Sequence, residues 1–336
     1  MSSPSQPGAL LRKVTTLYVI LVVTWFVAKS VFHDGHWLLW MVNSMAKYLF
    51  LPILVIGLVS ALRRNWRSLA LLAIPTAVFG LLYAELFLPN LPAVATQTGQ
   101  PLRVMTFNVL NINTNYDALT DTILSQHADL VGLQELIPAN SGEIEPTLAS
   151  EMYPYHTPLP VEHRLEVGLF SRYPITRSEK LNLPWNDLSQ HAIVNIDGVE
   201  VHVFVLHLVP TLIAEVSISD WPERIAEREQ IRTDQIDRVL SALPDVDVPV
   251  LIMCDCNFTE TTAAYGRFAD RFQDGYREAG WGLGHTIHPV GINITFNRID
   301  YVWYSHHFAA RSARVVKGGM SDHSPVVVDL QLLPNQ

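Results

Sequence analysis

Three apolar runs fill the first quarter of the chain: Val14 to Phe32, Ser44 to Leu62 and Ser68 to Leu88. Each is close to the ~20 residues that an α-helix needs to cross the hydrocarbon core of a bilayer. A cleaved leader would account for the first run alone, so the expectation is an uncleaved anchor of three transmembrane helices over residues 1–88. Arg12 and Lys13 precede the first run, and Arg63, Arg64 and Arg67 separate the second from the third. The loop from Phe32 to His36 carries no lysine or arginine. Basic residues stay on the cytoplasmic side, which places the N-terminus inside and, after three crossings, everything from residue 89 outside. Lys29, Lys47 and Glu85 fall toward the outer ends of the runs, where long charged side chains are expected to snorkel to the interface.

Charge divides the chain at the same point. The first 100 residues hold seven of the 23 lysines and arginines and two of the 32 acids, Asp34 and Glu85. The remaining 16 bases and 30 acids give the second part a formal charge of −14. Such a surface repels a phosphodiester backbone, so nucleic acid is the less expected partner. Residues 89–100 read as a linker with two prolines, spanning about 40 Å at full extension. It would tether the outer domain, residues 101–332, close to the membrane.

In that domain, strand-forming runs alternate with helical patterns. Strands are expected at Arg103 to Phe107, Val199 to Leu206, Val248 to Met253, Ile299 to Tyr304 and Ser324 to Leu330. Helices are expected at Leu119 to His127 and Ile225 to Leu243. The second would be capped by Asp220 with Pro222 in its first turn. Its apolar stripe of Ile236, Val239, Leu240 and Leu243 leaves the Arg/Glu run as a solvated face. Leu212, Ile213, Val216 and Trp221, ahead of that helix, are expected to pack onto the core.

The strand-like runs share one property. Four end on polar residues: Asn108, Glu135, His207, and Asp255 with Asn257. Two others start on them: Asp300, and Asp322 with His323. If the last two strands run opposite to the first four, all eight side chains meet at one rim. That set combines oxygen ligands for a hard cation with general acid–base groups.

Taken in order, the motifs "TFNVL", "GLQE", "GLFSRYPI", "VLHL", "CDCN", "RIDYVWYS" and "SDHSPVVVDL" span residues 106–330. The sequence resembles the endonuclease/exonuclease/phosphatase (DNase I-like) superfamily over roughly residues 101–332, and the anchor is similar to its membrane-bound bacterial members. The resemblance implies an α/β four-layer sandwich, two mixed β-sheets flanked by helices, behind the three transmembrane helices. It also implies Mg²⁺-dependent phosphoester hydrolysis, with Mn²⁺ an alternative ion. Asn108, Glu135 and Asp322 would hold the metal. Asp255 would orient or deprotonate water, Asn257 and His207 would bind phosphoryl oxygens, and Asp300 would pair with His323. Leu110 stands where DNA-repair members carry an acid, which argues against that branch. Cys254 replaces the family's usual glycine.

The expected function is therefore hydrolysis of a lipid-linked phosphate, pyrophosphate or phosphodiester outside the cytoplasm. The alternatives are an extracellular nuclease and a non-catalytic membrane-anchored binding module. Cys254 and Cys256, the only cysteines, are expected to be small apolar fillers facing the sandwich core. Two thiols placed two apart on a strand would have poor geometry for a disulfide.

Overall fold

In this computed structural model, residues 8–88, 99–160, 165–185, 189–244, 247–288 and 295–334 are described. Nearly all of the expected linker lies outside them. The chain divides into two units: Met1–Phe87 with Thr259–Ala263, and Leu88–Phe258 with Ala264–Gln336.

The first unit is helical. Helix α1 (Ala9–Phe32) is followed by α2 (Trp37–Ser44), a 3₁₀ segment (Ala46–Phe50), α3 (Leu51–Leu62), α4 (Trp66–Tyr83) and a 3₁₀ turn (Ala84–Leu86). Ala9–Phe32 and Trp66–Leu86 are long and apolar enough to cross a membrane. The middle run differs from expectation. Instead of one straight helix, α2 and Ala46–Leu62 form a pair bent by 73°. The bend has a polar cause. Asn43 is buried at the end of α2, where it accepts from Trp25 Nε1 at 2.9 Å and donates to the His33 carbonyl and Asp34 Oδ1. Satisfying this amide internally fixes the end of α2, and Met45 (φ −116°) breaks the helix behind it. Lys47 lies just past the bend and is buried, 6% exposed, rather than snorkelling. Phe50 packs edge-on against Trp25, Phe79 and Tyr83.

The second unit contains two six-stranded sheets. One has β1 (Gln100–Asn108), β2 (Leu130–Leu136), β3 (Tyr155–His156), β4 (Glu166–Ser171), β11 (Phe308–Val315) and β12 (Val326–Leu332), in the order β11-β12-β1-β2-β4-β3. The other has β5 (Ile175–Leu181), β6 (Ser189–Ile196), β7 (Val199–His207), β8 (Val250–Asp255), β9 (Gln273–Asp274) and β10 (Asp300–Tyr304), in the order β5-β6-β7-β8-β10-β9. Both are mixed, because β1 runs parallel to β2, β7 runs parallel to β8, and the other pairings are antiparallel.

Side-chain alternation along these strands produces the layers. Leu102, Val104, Val203, Val205, Leu251, Met253, Val302, Val326 and Val328 fill the space between the sheets. The opposite face of the first sheet presents Met105, Phe107, Val131 and Leu133 to α5 (Tyr116–Ser125) and α6 (Pro138–Glu151). The opposite face of the second presents Phe204, Leu206, Ile252 and Trp303 to α7 (Trp221–Ser241) and α8 (Ala263–Ala269). A short helix, α9 (Gly275–Ala279), precedes the loop into β10. The order helix, sheet, sheet, helix matches the expected sandwich. At Gly132 the sheets approach so closely that a Cβ would lie 2.9 Å from Met253 Cβ, so this strand position requires glycine.

Helix α7 departs from expectation in three respects. Asp220 occupies the N-cap position, but its side chain makes no cap hydrogen bond and instead accepts from Ser219 Oγ. Arg232 does not belong to a solvated face. It is 1% exposed, pairs with Glu229, and donates to the Val209 carbonyl at 2.6 Å and to Thr211 Oγ1 at 3.1 Å. It thereby pins the loop that leaves His207. Replacing Arg232 by Ala removes its pair with Glu229 and its bond to the Val209 carbonyl, and should destabilise the unit by about 3 kcal/mol. Urea unfolding of the full chain in detergent checks this. Finally, Leu212, Ile213, Val216 and Trp221 do not join the core: none is buried, and Leu212 is exposed.

Candidate active site

The site continues the inter-sheet core by one further step of the same alternation. Along β1 the inward residues are Leu102, Val104, Thr106 and then Asn108. Along β7 they are Val201, Val203, Val205 and then His207, and along β8 they are Leu251, Met253 and then Asp255. Strand β10 enters from the other direction, with Asp300 preceding inward Val302 and Tyr304. Register places His207 opposite Asp255, and Asp255 opposite Asp300. Three ionisable side chains thus stand abreast on one sheet where the hydrophobic filling stops. All of Asn108, His207, Asp255, Asp300 and His323 are at most 5% exposed.

Asn108 joins the sheets. Its amide nitrogen donates to Glu135 Oε1 at 2.9 Å and to Asp255 Oδ2 at 2.8 Å. Glu135 reaches this place against its own alternation. Leu130 faces the inter-sheet core while Val131 and Leu133 face the helices, which would send residue 135 to the helix side. The pairing of β2 with β4 shifts register between Leu133 and Leu136, and Glu135 takes φ 59°. This bulge turns the carboxylate back to the rim. There it accepts the backbone N–H and side-chain amide of Asn111 at 3.0 and 2.8 Å.

His323 is held by Asp300, its Nδ1 lying 3.1 and 2.9 Å from the two carboxylate oxygens. Its Nε2 lies 3.8 Å from Asp255 Oδ2, and His207 Nε2 lies 3.5 Å from the same oxygen. Asn257 (φ 52°) donates its N–H to Asp255 Oδ1 and its amide to the Leu208 carbonyl. Ser321 Oγ donates to the Asn108 carbonyl at 2.7 Å and accepts from the His323 N–H at 3.0 Å. It ties β1 to the segment that carries Asp322 and His323. His288 donates its N–H to the Asp322 carbonyl.

All eight side chains singled out in the sequence are therefore at this rim. Asn111 and Ser321 join them unforeseen. The only hint of Asn111 was its asparagine-rich surroundings, and Ser321 was hidden as the first letter of a longer motif. His156, His191 and His285 carry ordinary local bonds elsewhere, to the Thr157 carbonyl, Glu179 and the Thr295 carbonyl respectively.

Electrostatics divide the rim into an anionic and a cationic part. Burial by itself would raise the Glu135 carboxyl, but His207, Asn108, Asn111 and His323 together hold it below its ordinary value. Burial would lower the His323 imidazole, yet Asp300 and Asp255 raise it well above its ordinary value, so it carries a positive charge. Burial is the main influence lifting the Asp255 carboxyl, with Asp300 adding to it and His323, His207 and Asn108 opposing. Burial and the charge of Glu135 likewise raise Asp322 against the pull of His323.

These charges decide which residues suit a metal ion. Asp255, Asp300 and His323 can offer atoms within 4.8 Å of one another. However, both oxygens of Asp300 face His323 Nδ1, and both oxygens of Asp255 already accept hydrogen bonds from Asn108 and Asn257. Glu135 and Asp322 fit better. One is a stabilised anion, the other feels its negative charge, and Asp322 Oδ1 is buried without a hydrogen-bond partner among the described residues. An orphaned carboxylate oxygen beside a second carboxylate and an amide oxygen is the donor set of a hard divalent cation.

The cysteines beside Asp255 require a correction. Cys254 and Cys256 are joined by a disulfide. Both are fully buried, but against the α7–α8 layer rather than between the sheets. An extended strand would hold their Cα atoms about 6.6 Å apart. β8 ends at Asp255, and with the chain turning there the separation is 5.1 Å, which permits the bond.

Comparison with known proteins agrees with this architecture. Residues 105–323 match the Endonuclease/Exonuclease/phosphatase family. No curated protein matches the chain in sequence. Among solved structures, an endonuclease/exonuclease/phosphatase from Beutenbergia cavernae superposes with TM-score 0.56 at 21% identity, covering 69% of this chain and 72% of that one. A mannosyl-6-phosphatase from Bacteroides thetaiotaomicron superposes with TM-score 0.55 at 16% identity, over 68% and 99%. The human Nocturnin catalytic domain with bound sulfate gives TM-score 0.53 at 18% identity, over 69% and 93%. At these identities the likeness is one of fold.

Proposed function

Since this chain belongs to the Endonuclease/Exonuclease/phosphatase family, whose members are divalent-metal-dependent phosphoester hydrolases, we propose that it is the membrane-anchored form of such an enzyme. Its substrate is a lipid-linked phosphate, pyrophosphate or phosphodiester, cleaved outside the cytoplasm. Residues 1–88 are the anchor, 89–100 the linker and 101–332 the catalytic domain. The bent helix pair counts as the second of three crossings, and the disulfide fits an oxidising compartment.

The observation that carries the lipid assignment is the contrast between the rim and its surroundings. The loops that leave β1 and β7 and the loop that enters Ser321 expose Ile112 (74%), Leu212 (39%), Ile218 (73%) and Met320 (68%). Ile112 directly follows the Asn111 that holds Glu135, and Met320 directly precedes Ser321. The Asn113 amide bonds the Gly319 carbonyl at 2.7 Å and keeps these two loops together. A charged rim bordered by exposed apolar side chains suits a phosphate attached to an apolar body. The −14 formal charge beyond residue 100 disfavours a nucleic acid.

The geometry supports the following division of labour. Glu135, Asp322 and the Asn108 side-chain amide oxygen would hold a Mg²⁺ ion, which when bound would neutralise phosphate charge and polarise the ester. Asp255, fixed by the Asn108 amide and the Asn257 N–H, orients a water and accepts its proton. His207 and the Asn257 amide bind phosphoryl oxygens. His323, kept cationic and aimed by Asp300, stabilises the negative charge that develops on them.

A hydrolysis screen with detergent-solubilised full chain tests the substrate class, read as inorganic phosphate from lipid pyrophosphates, phosphocholine from sphingomyelin-type lipids and nicked circles from plasmid DNA. Lipid pyrophosphates and sphingomyelin-type lipids should be cleaved with Mg²⁺, and not after chelation, at least ~10-fold faster than plasmid DNA, a margin of about 1.4 kcal/mol in transition-state binding. Faster cleavage of DNA than of every lipid would replace this reading with an extracellular nuclease.

A further inference from the structure

We propose that Asp247, His306 and His307 form a second metal site, independent of the catalytic rim and selective for Zn²⁺ or a similar borderline ion over Mg²⁺. The site lies at the far end of the strands that bear the catalytic carboxylates. Asp247 precedes β8, whose last residue is Asp255, and His306 and His307 follow β10, whose first residue is Asp300. Five residues of strand separate the two ends, roughly 17 Å.

Three observations support it. The ligand atoms of the three side chains already lie within 4.8 Å of one another. One carboxylate oxygen of Asp247 faces His306 Nε2 at 3.4 Å, and the other faces His307 Nε2 at 3.5 Å. These separations are long for charge-assisted hydrogen bonds, which run at about 2.7–2.9 Å. The His306 separation equals the edge of a tetrahedron with metal–ligand bonds of about 2.0–2.1 Å, about 3.4 Å, and one oxygen of Asp247 with the two imidazoles gives three ligand atoms within 4.8 Å of one another. The second observation is that the far nitrogen of one imidazole is engaged: His307 Nδ1 lies 3.1 Å from Ser305 Oγ. A ligating imidazole is oriented by this kind of bond, which leaves Nε2 to the metal.

The third is that the frame is already rigid. Ser305 accepts from the Val250 N–H through Oγ and donates its own N–H to the Val250 carbonyl. The Phe308 N–H bonds the Ser305 carbonyl, closing the turn that presents both histidines, and the Leu333 N–H bonds the His307 carbonyl. Two imidazoles and one carboxylate, with water completing the shell, are ligands for Zn²⁺, Co²⁺ or Ni²⁺; Mg²⁺ prefers oxygen alone. A bound ion would clip the segment before β8 to the β10–β11 turn.

The test is a Co²⁺ titration of metal-stripped full chain in detergent, with Zn²⁺ competition. The wild type should show one Co²⁺ with intense visible absorption of tetrahedral type, displaced by Zn²⁺ and not by millimolar Mg²⁺. Glu135→Gln, which alters the catalytic rim, should retain the band. His307→Ala and Asp247→Asn should each weaken Co²⁺ binding ~10-fold or more, and His306→Ala with His307→Ala should abolish the band. Matching thermal unfolding of the metal-free variants and metal-free wild type shows that the variants fold. A band that survives the double substitution, or is lost in Glu135→Gln alone, overturns the proposal, as does its absence from the wild type.

Discussion

Asp255→Asn should lower Mg²⁺-dependent turnover by about 10³-fold, at the centre of the range for loss of a general base, while leaving the fold intact. The substitution is isosteric, yet the surroundings of Asp255 are built for an acceptor on both oxygens. Oδ2 accepts the Asn108 amide and Oδ1 accepts the Asn257 N–H. An amide must turn its NH₂ toward one of these donors, so the rim loses a hydrogen bond as well as its base. Circular dichroism and the unfolding midpoint should change little, because the inter-sheet core ends at Met253. Turnover within tenfold of wild type would falsify the role given to Asp255.

His323→Ala should cost about 10²–10³-fold in turnover, the range for removing one donor that stabilises a developing oxyanion. The imidazolium stands between two carboxylates, bonded to Asp300 and 3.8 Å from Asp255. Its removal takes away a donor to the phosphoryl group and also leaves two buried carboxylates facing each other. Asp255 would then hold its proton to higher pH, so less of it is in the ionised form that can take a proton from water. Asp300→Asn should cost less, because the histidine remains and only its charge and orientation are disturbed. Steady-state rates for the two variants, measured on whichever substrate the hydrolysis screen identifies, check this ranking. Equal losses would mean that Asp300 contributes as much as the group it orients.

Periodicity made the sandwich readable. Apolar residues every second position mark strands, and the polar residue at the end of each run marks the rim, so Asn108, His207, Asp255 and Asp300 could be placed without coordinates. Glu135 was readable as the polar end of its run, but not from alternation. Strict alternation points it toward the helices, and a bulge with a left-handed backbone reverses that. Asn111 escaped because its role depends on a loop conformation, and Arg232 because a charged residue in a charged helix gives no sign that a carbonyl waits for it. In the first unit, hydropathy located the middle run but not its 73° bend, which arises from one buried asparagine whose partners lie 9 to 18 residues away in sequence. Alternation also misjudged the cysteines, because it assumed that the strand continues past Asp255.

The disulfide closes a ring around a single residue. Cross-links stabilise a fold mainly by restricting the unfolded chain, and so short a loop restricts it little. Its effect is local: the backbone on both sides of Asp255 is stapled, so the carboxylate is aimed by covalent bonds as well as by hydrogen bonds. Such bonds form and persist where thiols are not kept reduced. With residues 101–332 placed outside the cytoplasm, as proposed above, maturation of the catalytic rim would be coupled to delivery of the chain. Under that placement, a polypeptide still on the reducing side of the membrane would carry every residue of the site but lack the staple that sets Asp255.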